Sequence, residues 1–252
     1  MAKFTRQHIY DTAKELSNWG RWGENDQFGT LNNITPEDIV NAGKLIKKGK
    51  VFALGLDLKE KIQSGLFGGR WNMIHQMLAT GTDAVAGVQD SDGKTFLRYA
   101  DDAINLPCQG STQWDALCHI FLDDKMYNGY PATDVTVQGS SNLGIEHVRD
   151  KMAGRGVLLD IARFKGVDSL DDGYPITNKD LDECAAAQNV EIRKGDFVIV
   201  RTGHQERCLA KKDWTGYAGG DAPGLAFETA RWIKNKDIAA ICADTWGCEV
   251  RP

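Results

Sequence analysis

Three short apolar runs constrain the fold of this chain more than any other feature. They are Gly156-Val157-Leu158-Leu159-Asp160-Ile161, the stretch from Asp196 to Gly203, and the stretch from Asp237 to Asp244. Each is bounded by glycine or charged residues and is too short for a helix, so each reads as a strand buried on both faces. Helical patterns lie between them. Thr177 and Asp180 form a capping-box start, followed at helical spacing by Leu181, Cys184, Ala185 and Gln188. Leu225 to Lys234 reads as another helix, with Leu225, Glu228, Thr229 and Trp232 on related faces. Strand, helix, strand, helix, strand over residues 156–244 predicts an α/β layer architecture.

The first half is richer in loops. Thr5 to Leu16 has helical spacing at Ile9, Thr12, Ala13 and Leu16. Thr35-Pro36-Glu37-Asp38 starts a second helix, with Thr35 as cap and Pro36 in the first turn. Ile39, Val40, Leu45 and Ile46 are expected to form its buried stripe. Val51 to Leu58, Asn72 to Thr80 and Thr95 to Ala100 are strand candidates. With no repeat, low-complexity tract or linker, residues 1–252 read as a single domain.

Composition excludes several functions. The 30 Lys and Arg against 35 Asp and Glu give a net charge of −5, a poor balance for tracking phosphates, so no nucleic-acid partner is expected. Lys44, Lys47, Lys48 and Lys50 read as the cationic end of a helix. No stretch approaches the apolar length of a membrane span, and residues 1–18 lack the apolar run of a signal peptide. The expectation is a cytoplasmic protein with no membrane partner. Six cysteines without a C-x-x-C pair read as reduced thiols. The P-loop, Rossmann, nucleophile-elbow and zincin signatures are all missing.

The densest cluster of chemically capable residues runs from Gln109 to His119, Gln-Gly-Ser-Thr-Gln-Trp-Asp-Ala-Leu-Cys-His. Two amide oxygens and a carboxylate, from Gln109, Gln113 and Asp115, are ligands suited to a hard cation. His119 could take a proton from a bound water. The same spacing also suits a hydrogen-bonded polar loop with a structural histidine. Two further candidates end the apolar runs, Arg201-Thr202-Gly203-His204 and Asp244-Thr245-Trp246-Gly247. Ligands collect beyond the carboxyl ends of such strands.

This segment resembles the signature of the cyclase family that includes bacterial kynurenine formamidase and isatin hydrolase, His-x-Gly-Thr-His-x-Asp-x-Pro-x-His. Thr112, Asp115 and His119 match it, Gln109 and Gln113 replace its first two histidines, and Leu117 replaces its proline. The resemblance is closer to a branch with G-S-T-Q-W-D-A-L-x-H-x-F. Further phrases are similar to that branch: Trp22-Gly23 with Asp26 and Gly29-Thr30-Leu31-Asn32, Lys125 to Gly129, and Gly154 to Asp160.

The resemblance implies a swivelling β/β/α fold with a mixed sheet or barrel-like core and flanking helices, assembled as a homodimer or homotetramer. It implies a divalent metal, Mn²⁺ or Zn²⁺, at Asp115, Gln109 and Gln113. Amide ligands would shift the preference toward Mn²⁺ or Mg²⁺. His119 would be the general base and Asp115 its catalytic partner. Trp114, His204, His75 and Trp22 are candidate contacts to a small amide-like substrate. The family carries a later segment with a His and a Glu, which the stop at Pro252 leads us to expect is absent here. Three functions follow: a metal-dependent hydrolase of an amide, formamide or lactam C–N bond; a metal-free acid–base cyclase or lyase using Asp115 and His119; and a non-catalytic small-molecule binding protein.

Overall fold

Helix capping sets the helix starts in the computed structural model, which describes residues 4–64, 68–90 and 97–252. Thr5 caps α1 (Arg6–Leu16), and reciprocal Thr–Asp capping boxes start α2 (Pro36–Gly43), α3 (Gly81–Val85) and α5 (Asn178–Ala187). The other helices are α4 (Ile161–Phe164), α6 (His204–Lys211) and α7 (Thr229–Lys236). The strands are β1 (Ile74–Ala79), β2 (Asp101–Asn105), β3 (Val135–Thr136), β4 (Gly139–Ser140), β5 (Gly156–Asp160), β6 (Pro175–Ile176), β7 (Phe197–Arg201), β8 (Gly224–Leu225) and β9 (Ala240–Ala243). The fold is mixed α/β, with several small sheets among the described residues. By its backbone contacts the chain falls into two units. The first is residues 1–52, 114–213 and 220–252; the second is residues 53–113 and 214–219.

The three apolar runs form the heart of the first unit. They become the parallel sheet β5-β7-β9, with Val157 opposite Val198 and Val198 opposite Ile241. The crossovers run through α5 and α7, and Leu159, Ile161, Leu181, Cys184, Val198 and Trp232 join one core. Burial alternates instead of being continuous: Val157 and Leu159 are buried, whereas Leu158 is 48% exposed. The sheet is therefore covered mainly on one face, and the expectation of strands buried on both sides is corrected. Short parallel pairing joins β6 to β8. The last residues are stitched beside β8, where Leu225 N–H donates to Cys248 O at 2.8 Å and Ala222 N–H to Arg251 O at 2.9 Å.

A second network ties loops of the same unit together. Buried Asp26 accepts from Gly29 N–H at 2.9 Å, Asn32 Nδ2 at 2.6 Å and the Tyr127 hydroxyl at 2.8 Å. Asn128 Nδ2 donates to the carbonyls of Gly23 and Glu24.

In the second unit β1 and β2 form an antiparallel ribbon in which His75 faces Ile104 and Met77 faces Asp102, with a bulge before Ala79. Trp214 donates from Nε1 to Glu60 at 3.0 Å and meets Tyr217 edge to face.

Several expected elements differ. Val51 to Leu58 forms no strand, and Val51 is 92% exposed; among the described residues no second strand offers it a hydrogen-bonded ladder. Ile39, Val40, Leu45 and Ile46 are exposed and do not make a buried stripe. Lys44 to Lys50 follow α2 and lie outside it. Of the candidate strand from Thr95 to Ala100, Thr95 and Phe96 lie outside the described residues, and the ladder begins only at Asp101. Leu225 belongs to β8, and α7 starts at Thr229.

Candidate active site

The carboxyl ends of β5, β7 and β9 gather the polar groups of the first unit. Asp160 closes β5, accepting from Arg163 N–H at 3.1 Å and from Arg201 Nη1 at 2.8 Å. Arg201 also pairs with Glu206. Gly203 turns the chain from β7 into α6 with φ +79°, and a Cβ there would lie 2.1 Å from the Asp168 carbonyl oxygen. Only glycine meets both demands. Asp244, just past β9, holds this turn: it accepts from Thr202 N–H at 2.7 Å, the Thr202 hydroxyl at 2.8 Å and Gly203 N–H at 2.7 Å. A groove of about 400 Å³ opens nearby, lined by Asp160, Arg163, Gly166, Val167, Asp168 and Arg201.

His204 is the first residue of α6 and is 4% exposed. Its N–H donates to the Thr202 hydroxyl, and Nδ1 lies 3.8 Å from Asp172. Burial, aided by the Arg207 guanidinium, lowers its pKa despite the opposing carboxylates of Asp172 and Asp244. Burial thus disfavours the imidazolium inside the helix–turn junction.

The motif segment is divided between the two units. In the second unit Gln113 Nε2 donates to Gln109 Oε1 at 2.8 Å, and buried Gln63 donates from Nε2 to the Gln109 carbonyl at 3.3 Å. In the first unit Trp114 meets Phe197 edge to face, with ring centres 6.0 Å apart. The Asp115 carboxylate lies within electrostatic reach of Cys248. Burial, with added repulsion from Glu249, Cys242 and Asp115, pushes the Cys248 thiol up to about 12. His119 follows a tight turn, its N–H donating to Ala116 O at 3.0 Å, and both Asp115 and His119 are exposed.

The remaining candidates are placed apart. His75 is exposed on β1, with Nε2 2.8 Å from Asp102. Trp22 is half-buried, with the Arg21 guanidinium 4.7 Å from its ring centre. Two groups escaped the sequence reading: Cys248 near Asp115, and Asp172 with Arg207 beside His204. The first pair is separated by 133 positions, and no spacing rule connects residues that far apart.

Gln109 and Gln113, two of the three residues expected to hold a metal, are turned to each other. Among the described residues no group of three or more His, Cys, Asp or Glu could hold a metal ion. The two glutamine side chains are joined by their own hydrogen bond, which occupies Gln109 Oε1, an atom that would have to ligate. A neutral amide already spent in this way is a poor substitute for imidazole at a zinc-type centre.

Comparison with known proteins agrees with the motif. The family model described as "Putative cyclase" matches residues 56–250. The chain belongs to this cyclase family. It is similar to a protein solved as the crystal structure of a novel cyclase, at 38% identity over 94% of this chain and 80% of that one, with a TM-score of 0.84. A looser likeness, to isatin hydrolase A from Labrenzia aggregata bound to benzyl benzoate, has 18% identity over 73% of this chain and 61% of that one, with a TM-score of 0.47. No curated protein matches the chain significantly. No helix among the described residues is long and apolar enough to cross a membrane.

Proposed function

We propose that the protein hydrolyses a carbon–nitrogen bond in a small amide, formamide or lactam, with His119 as general base. One observation carries the reading: within the stretch that places the chain in the cyclase family, Asp115 and His119 stand at the motif's carboxylate and final histidine. Water attacks the carbonyl carbon while an imidazole nitrogen of His119 takes its proton. The C–N bond then breaks, and that proton passes to the leaving nitrogen, giving an acid and an amine. The Asp115 carboxylate stabilises the imidazolium that forms between the two transfers. Because Gln109 and Gln113 are bonded to each other, every step is assigned to side chains and none to a metal.

Trp114, Trp22, His75 and His204 remain the candidate substrate contacts of this proposal, and Trp114 packs edge to face on Phe197. Trp22 carries Arg21, His75 is paired with Asp102, and His204 is enclosed at the start of α6. The barrel-like core of the swivelling β/β/α fold, the homo-oligomer and the cytoplasmic setting belong to this same proposal. The glutamine pair also favours a second reading, in which Asp115 and His119 perform acid–base cyclisation or elimination without hydrolysis.

Amine release from a panel of amides, formamides and lactams tests the proposal. His119→Gln and Asp115→Asn should each lower kcat/KM by about 100-fold or more, within the usual range of a general acid–base contribution. Full turnover by either variant would refute it. Activity unchanged by a chelator supports direct base catalysis, and activity abolished by a chelator and restored by Mn²⁺ returns the metal to the mechanism. Conversion of a carbonyl substrate without release of amine selects the second reading.

A further inference from the structure

The geometry points to the groove beside the ends of β5 and β7 as a binding site for a small zwitterion, a molecule with one carboxylate and one ammonium such as a short α-amino acid. The groove holds about 400 Å³ and is lined by Asp160, Arg163, Gly166, Val167, Asp168 and Arg201, all from the first unit. That volume lies toward the small end of ligand pockets. Asp160 caps α4 by accepting from Arg163 N–H at 3.1 Å. The helix then closes after one turn: Gly166, at φ +74°, donates its N–H to Arg163 O, and Val167 donates to Ala162 O, both at 3.0 Å. Beyond the turn, Leu170 N–H donates to Thr202 O at 2.9 Å, and the Asp168 carbonyl lies against Gly203. The backbone around the groove is thereby fixed before a ligand arrives, so binding costs only the freedom of side chains.

Charge selects the ligand. Two guanidinium groups and two carboxylates line the groove. One pair is already joined: Arg201 Nη1 holds Asp160 at 2.8 Å, and Arg201 Nη2 pairs with Glu206. Arg163 and Asp168 are exposed, and among the described residues their side chains make no hydrogen bond or ion pair. A guanidinium and a carboxylate thus stand open in one cavity. Arg163 offers a fork of N–H donors to a carboxylate, and Asp168 accepts from an ammonium. A ligand with a single charge would leave one of the two unmatched and be repelled by the other, whereas a zwitterion matches both. Val167 is the one apolar side chain in the lining, so the ligand's own side chain is short. None of these residues takes part in the reaction proposed above, and the assignment does not depend on it.

Amide NMR shifts of the isotope-labelled full chain, titrated with L-alanine, test it. The amides of Arg163, Gly166, Val167 and Asp168 should shift saturably, with a Kd of about 1 mM or tighter. Propanoate and ethylammonium, which each lack one of the two charges, should bind at least tenfold more weakly. Arg163→Gln and Asp168→Asn should each weaken alanine binding by a similar factor. Both side chains are exposed, so the fold should survive, and unchanged shifts elsewhere in the spectrum check that it does. Lys179→Gln removes a cation of the same unit outside the groove, paired with Glu183, and should leave binding unchanged. No saturable shift up to about 50 mM alanine, propanoate bound as tightly as alanine, or affinity retained by Arg163→Gln would each overturn the assignment.

Discussion

The β5-β7-β9 sheet and the β1–β2 ribbon make opposite use of apolar side chains. Leu159 and Val198 are fully buried in the first, while Ile74 and Ile104 in the second are half exposed. Topology explains the contrast. Parallel neighbours need crossover connections, and the crossovers through α5 and α7 bring Leu181, Cys184 and Trp232 onto the sheet. The ribbon's strands are antiparallel, and among the described residues no helix covers them. An apolar residue in a strand thus predicts burial only where the connection also supplies a cover.

Variants can break or sharpen this contrast. The largest effect is expected at Gly203→Ala, where φ +79° and the Asp168 carbonyl oblige the turn to rebuild; a loss above about 4 kcal/mol, read by urea denaturation, is the expected result. Leu159→Ala should follow, at about 2–5 kcal/mol for a fully buried leucine whose cavity the sheet cannot close. Asp244→Ala removes the acceptor of two backbone N–H groups and one hydroxyl, and about 1–3 kcal/mol should be lost.

His204 should then give a smaller, pH-dependent effect. Its native pKa lies below the ordinary 6.5 because burial disfavours the imidazolium, so the unfolded chain binds the proton more readily. Stability is full above 6.5 and falls as pH drops through the window between that value and the lower native one. His204→Gln should flatten the decline in Tm across that window. The smallest effect is expected at Ile74→Ala, half exposed on the ribbon, within about 0.5–1 kcal/mol. A loss as large as that of Leu159→Ala would show that this side chain is covered after all.

Much of the first unit was legible because its signals are local. Thr35 and Thr177 mark helix starts, and the structure caps α2 and α5 at those residues. The apolar runs mark the three parallel strands. Val51 to Leu58 misled because strand propensity says nothing about whether a partner strand is present. Ile39 and Val40 misled because helical spacing sets a face without saying what lies against it. The motif was legible as a family signature, and the match over residues 56–250 agrees with it. The bond between Gln109 and Gln113 was not legible, since side-chain torsions decide whether two amides four residues apart turn to a ligand or to each other. The phrases around Asp26 and Asn128 carried the resemblance, and in the structure they bind loops together. A signature can therefore record architecture as readily as chemistry.

The three bonds accepted by Asp244 have a mechanical consequence. They fasten the end of β9 to the turn that leaves β7, more than forty residues earlier in the chain. Tension on the C-terminal stretch would reach α6 through this latch before the last strand could peel away. The final strand and the helix after β7 should therefore yield in a single step under load.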